Sequence, residues 1–175
     1  VSFTPPAIPQ EPQLALEVQL GDGRRVLHEA SLVAGVRLST ASHRRSFRSA
    51  IDGSVQYYGV TPPVADSQGE SPPALYLSLH GAGVEAGHQA RCYTSKENGF
   101  VVAPTNRRPF GFDWEDWGRL DALEVLDHAS TLFGADPRRT YLTGHSMGGH
   151  GTWNFGAHYP DRFAAIAPSA GWRGW

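Results

Sequence analysis

The sequence predicts an α/β fold: a mostly parallel sheet opened by antiparallel strands, with helices on both faces. Three observations carry this. Short apolar runs at Ala74–Leu79, Phe100–Ala103, Thr140–Thr143 and Phe163–Pro168 are separated by helical stretches at about His88–Glu97, Trp117–Phe133 and Met147–His158. Such strand–helix–strand alternation lays strands parallel and packs the connecting helices on the sheet. Ser46–Ile51 and Val55–Val60 flank an Asp52-Gly53 turn, a tight hairpin that supplies the antiparallel opening. The composition, 40% hydrophobic and 18% charged over 175 residues, suits one compact core with many turns.

Ahead of that core, Val1–Pro12 holds four prolines and reads as an extended linker. Leu14–Leu20 alternates apolar and other residues, Gly21-Asp22-Gly23 turns, and Arg25–Leu38 gives a second β-like run. Residues 1–44 are therefore expected to form a Pro-rich linker and a β-hairpin appendage, and residues 45–175 the main domain. In the long helix Leu120, Leu123, Leu126 and Ala129 or Phe133 recur on one face, the pattern of a core-facing stripe.

Charge and cysteine content narrow the function classes. A net charge of −2 gives no field for nucleic acid, and no apolar run reaches the length of a membrane span. Cys92 is the only cysteine, which excludes an internal disulfide framework and a cysteine-based zinc site. Because the chain opens on Val1 and not Met, a processed or excised segment is expected.

The chemistry concentrates at Gly144-His145-Ser146-Met147-Gly148, a G-x-S-x-G pattern with a β-run before it and a helical run after it. A serine on so sharp a strand-to-helix turn is strained and exposed. The residues two before and two after it come close, which explains glycine at 144 and 148. Ser146 is the candidate nucleophile. A serine hydroxyl needs a base and donors for the developing oxyanion. The backbone N–H of Met147 at the helix start is one candidate donor. The glycine loop His80-Gly81-Ala82-Gly83 supplies the other, Ala82 first and Gly83 second.

Asp113-Trp114-Glu115-Asp116-Trp117 follows the Phe100–Ala103 run. Asp113 or Asp116 would cap the long helix, and Trp114, with His80 and His145, would line a substrate pocket. His80 also reads as a structural hydrogen-bonding residue of its loop. No metal is expected, because three acids without histidine match neither zinc nor calcium spacing. His145 and His150 sit on the nucleophile turn and its helix, where neither makes a convincing base; His28, His43, His88, His128 and His158 have no motif around them.

Leu79–Gly83, Gly144–Gly149 and Tyr159–Pro168 together resemble the α/β-hydrolase superfamily. Within it they are similar to prolyl-oligopeptidase-type hydrolases and to polyhydroxybutyrate-depolymerase-like or feruloyl-esterase-like esterases, over about Arg45 to Trp175. The resemblance implies a serine hydrolase working through an acyl-enzyme on a small-molecule ester, favoured over a peptide, without a cofactor, in a secreted or periplasmic setting. It also implies the chain order nucleophile, acid, histidine. Only 29 residues follow Ser146, enough for one helix and one strand. The sheet is thus expected to stop there, with the acid and histidine in the remainder of the hydrolase domain and this segment inactive alone. A non-catalytic binding module, or one half of a split enzyme, fits the same residues.

Overall fold

The computed structural model describes residues 12–64, 71–108, 110–111 and 113–173; most of the proline-rich stretch predicted over Val1–Pro12 lies outside them. The chain forms two units, Val1–Leu38 and Ser39–Trp175.

In the first unit β1 (Gln13–Gly21) pairs antiparallel with β2 (Val26–Gly35). Asp22 closes the turn by accepting from the N–H groups of Arg24 and Arg25 at 2.9 and 3.0 Å, a local side-chain turn that fixes the register. Because Leu16 lies opposite Leu32 and Val18 opposite Ala30, one face of the hairpin is apolar. The other face is polar: Ser31 donates to Glu17 and Gln19 to Glu29.

The second unit is built on a six-stranded sheet in the order β3-β4-β6-β5-β7-β8. The strands are β3 (His43–Arg48), β4 (Val55–Thr61), β5 (Ala74–Leu79), β6 (Gly99–Ala103), β7 (Thr140–His145) and β8 (Ala165–Ser169). β3 and β4 run antiparallel to their neighbours, and β6, β5, β7 and β8 are mutually parallel. The expected sheet is therefore present. Its opening strand begins three residues earlier than the periodicity placed it and stops at Arg48, because the turn starts at Ser49, whose N–H donates to Ser54 O.

The helices are α1 (Ala86–Arg91), α2 (Asp116–Phe133) and α3 (Met147–His158). Alternation along β5 separates them. Ser78 faces α1, where Gln89 donates to its hydroxyl, whereas Leu75, Leu77 and Leu79 join Val125, Leu126 and Ala129 of α2 and Phe155 of α3 in the main core. α1 is earlier and shorter than the His88–Glu97 expected. The stripe read on α2 also needs correction. Leu120 is exposed, and the buried face is Gly118, Asp121, Ala122, Val125, Leu126 and Ala129. An aspartate occupies a core position because Arg107 and Thr105 meet it there.

Candidate active site

β7 ends at His145, α3 begins at Met147, and Ser146 between them has φ 55° and ψ −118°. A non-glycine residue in this region costs about 1–3 kcal/mol and persists only where its surroundings fix it. Here they do. Ser146 N–H donates to Ser169 O at 2.9 Å, and Ser146 O accepts from His150 N–H at 3.0 Å. The turn closes so tightly that a Cβ on Gly144 would lie 2.2 Å from Gly148 O, and one on Gly148 only 1.9 Å from Leu79 O. Both glycines are required by contact.

The second contact brings the loop after β5 against the serine. A Cβ on Gly81 would lie 3.6 Å from Ser146 Cβ and 3.3 Å from His145 O. Gly81–Val84 is a turn closed by Val84 N–H on Gly81 O at 3.2 Å, with Gly83 at φ 75°. That is the type II pattern, glycine third and proline tolerated second. Among the described residues, the N–H groups of Met147, Ala82 and Gly83 donate to no acceptor, and Ala82 and Gly83 are exposed. Unused N–H groups at the helix start and in the turn after Gly81 thus lie in the two segments that meet at half-buried Ser146.

The three residues read as pocket-lining divide. His145 is exposed, with Nδ1 3.3 Å from Ser169 Oγ. His80 and Trp114 are fully buried. His80 Nε2 lies 3.0 Å from Thr105 O and Nδ1 2.9 Å from Gly81 O, so the ring is structural, as its alternative reading had it. Trp114 packs edge-on to His80 and donates its indole N–H to His80 O at 3.0 Å. Its ring lies against Gly151, where a Cβ would come within 2.6 Å of it. The backbone there is strained, Asp113 at φ 49° and Trp114 at φ 64°. Burying the indole is worth about 4–6 kcal/mol, enough to offset strain of about 1–3 kcal/mol at each of the two residues.

The loop that delivers Trp114 is anchored at Arg107, whose Nε lies 3.2 Å from buried Asp121, with Glu124 and Asp52 within 3.4 Å. The Arg107 guanidinium also lies over the Trp117 ring. Burial pushes the Asp121 carboxyl above its usual value, and Arg107 opposes that push. Neither Asp113 nor Asp116 caps α2. The cap position is Glu115, which makes no side-chain cap bond and instead lies 3.4 Å from Nε2 of His150. His150 stacks on Trp172. Sequence periodicity missed two residues here. Phe110, 74% exposed, sets its ring 3.4 Å from the Cβ position of Gly83, and Trp172 covers His150. Among the described residues no cluster of His, Cys, Asp and Glu fits a metal ion. An apolar groove of about 640 Å³ between the β3–β4 hairpin and α2 includes no residue of the serine turn or the β5 loop.

The model of the Esterase family matches residues 81–172, which run from the β5 loop through the serine turn to Trp172. The chain belongs to that family. This esterase-family chain is 32% identical over 138 residues, 69% of its length, to an uncharacterized secreted protein of Arthroderma benhamiae, of which it covers 15%. It is 29% identical over 104 residues, 55% of its length, to the bifunctional acetylxylan esterase/xylanase XynS20E of Neocallimastix patriciarum, of which it covers 16%. Its fold is the α/β-hydrolase fold of FphF, a fluorophosphonate-binding serine hydrolase of Staphylococcus aureus (24% identity, TM-score 0.58, 75% of this chain and 57% of that one). A ferulic acid esterase aligns equally well (20% identity, TM-score 0.58, 74% and 60%). The chain therefore spans about one sixth of these curated relatives and somewhat over half of these solved hydrolases.

Proposed function

We propose that the chain is the nucleophile-bearing part of a carboxylic-ester hydrolase, with Ser146 as nucleophile and the N–H groups of Met147 and Ala82 as oxyanion donors. The approach of Gly81 to Ser146 supports this most directly, since it brings the segment that carries the unused Ala82 N–H against the serine turn that carries the unused Met147 N–H. Ser146 Oγ attacks the ester carbonyl carbon and its proton passes to a general base. The carbonyl oxygen takes the negative charge between the two donors. The carbon–alkoxy bond then breaks as the base returns the proton to the leaving alcohol, and water releases the acid from the acyl-enzyme by the same steps.

The base comes from outside the described residues. Among them no side chain hydrogen-bonds the Ser146 hydroxyl, and His80, His145 and His150 are turned to other partners. FphF and the ferulic acid esterase are longer than the stretch this chain covers, so the remainder of such a domain is the proposed source of acid and histidine. Family membership favours an ester over an amide, and Phe110 beside Gly83 offers an apolar wall to the substrate. Secretion is the proposed setting, in line with the secreted relative. No described helix is long and apolar enough to cross a membrane.

Fluorophosphonate labelling read by intact mass tests this. The hydrolase domain completed with the residues that follow in its parent protein should label, and the same protein with Ser146→Ala should not. The 175-residue chain alone should label feebly. Labelling that survives Ser146→Ala, or a folded, completed domain that never labels, overturns the assignment.

A further inference from the structure

Two successive carbonyls of the loop beside Ser146 are held by side chains. His80 O accepts from Trp114 Nε1 at 3.0 Å, and Gly81 O lies 2.9 Å from His80 Nδ1 while accepting from Val84 N–H. Each holding residue is itself held. Trp114 is fully buried against Gly151 of α3, and His80 is fully buried beside it, its ring edge-on to the indole with centroids 4.8 Å apart. A peptide unit is planar and trans, so its C=O and N–H point in opposite directions. Fixing Gly81 C=O therefore fixes the direction of Ala82 N–H, and fixing His80 C=O fixes the plane that leads into it.

We propose that Trp114 and His80 are positioning residues that lock these two peptide planes so that Ala82 N–H stays aimed at the oxyanion. The proposal rests on the reading of Ser146 and Ala82 given above. Left to itself, a glycine-flanked peptide could flip by counter-rotating its two flanking torsions, replacing the N–H with a carbonyl oxygen that repels the developing charge. The strained backbone at Asp113 and Trp114 has a use on this account: it brings the indole N–H to His80 O from a loop 34 residues away. Neither side chain touches substrate.

The test uses the completed hydrolase domain and a boronic acid, which forms a tetrahedral anion on the serine. Trp114→Phe keeps a ring against Gly151 and loses the donor to His80 O together with part of the buried indole volume. It should lower kcat and boronate affinity together by about 10-fold or more, with KM within about twofold; its melting temperature should fall, because buried volume and the partner of His80 O are lost, and the kinetics are read at a temperature where a thermal melt shows it folded. His80→Asn places an amide N–H where Nδ1 was and should retain boronate affinity, whereas His80→Leu should lose it. Should Trp114→Phe fail to fold, the His80 pair decides: retention in Asn with loss in Leu supports the proposal, and equal behaviour overturns it. Unchanged boronate affinity in folded Trp114→Phe also overturns it. Ser146→Ala distinguishes the two failures, because turnover that survives Ser146→Ala refutes the nucleophile, while loss of turnover there beside a normal Trp114→Phe refutes only the positioning.

Discussion

At the scale of single residues, Ala82 and Ser146 stand in different relations to the chain around them. Ser146 cannot be other than where it is, because the strained turn, Gly144 and Gly148 fix it from five consecutive positions. Ala82 is placed by a turn whose second position accepts proline. Ala82→Pro should therefore fold with its melting temperature unchanged or raised, yet remove one of the two N–H groups assigned to the oxyanion. Its kcat in the completed domain should fall by about 10²–10³, the usual cost of one such donor. Steady-state kinetics beside a thermal melt checks this, and a fully active Ala82→Pro would move the donor to Gly83. What was legible in the sequence follows the same division. The serine turn was readable because its constraints are local, strand before, helix after, glycine two away on each side. The full burial of Trp114 and His80 was not legible because the partners they pack on, Gly151 and Thr105, lie 37 and 25 residues away, and no periodicity reports a contact of that kind.

At the scale of elements, the join between β6 and α2 depends on one buried ion pair. Arg107 is mostly buried among Asp121, Glu124 and Asp52, and its Nε stands 3.2 Å from the Asp121 carboxylate without the alignment of a good hydrogen bond. Such a pair adds little to stability over an apolar substitute, but removing one partner strands the other in the core. Arg107→Met should cost about 3 kcal/mol at neutral pH. The pH dependence has a definite sign. Burial already raises the folded-state value of Asp121 above its ordinary 3.8, and Arg107 restrains that rise. Without the arginine the folded value climbs further, so ionising Asp121 penalises the variant more as pH rises. Because the folded value lies above 3.8 in both proteins, ionisation of Asp121 recedes in both as pH falls, and with it the penalty that the missing arginine leaves. The gap in melting temperature between wild type and Arg107→Met should thus widen from pH 4 to pH 7, measured by calorimetry; a gap constant with pH would detach Asp121 from Arg107. The same pair explains why the α2 stripe was misread. Leu120 looked like core and Asp121 like surface by hydrophobicity alone, and only the arginine fourteen residues earlier reverses them.

At the scale of the whole molecule, the unit of Ser39–Trp175 is unevenly covered. β5 lies between β6 and β7, its Leu75, Leu77 and Leu79 fully buried beneath α2 and α3 and its Ser78 buried beneath α1. β8 has β7 as its one neighbour among the described strands, and Ala165, Ala167 and Ser169 along it are exposed. A mostly parallel sheet with antiparallel opening strands was expected from the sequence, because strand–helix–strand alternation implies parallel neighbours; how well each strand is covered was not, since that depends on every element at once. Stability should follow the covering. Amides in a doubly flanked, buried strand open only with global unfolding, whereas an edge strand opens locally. Native-state hydrogen exchange on this chain should show β8 amides exchanging at least about 100-fold faster than those of β5. This holds even though Ser169 O is tied to Ser146 N–H, because that bond pins the end of the strand and leaves its outer edge to water. The consequence reaches the site: when β8 opens, the acceptor of Ser146 N–H is lost and the strained turn loses one of the two bonds that fix it. β8 protection equal to that of β5, independent of protein concentration, would mean that the edge is already closed within the chain; protection that rises with concentration would mean that a second copy pairs there.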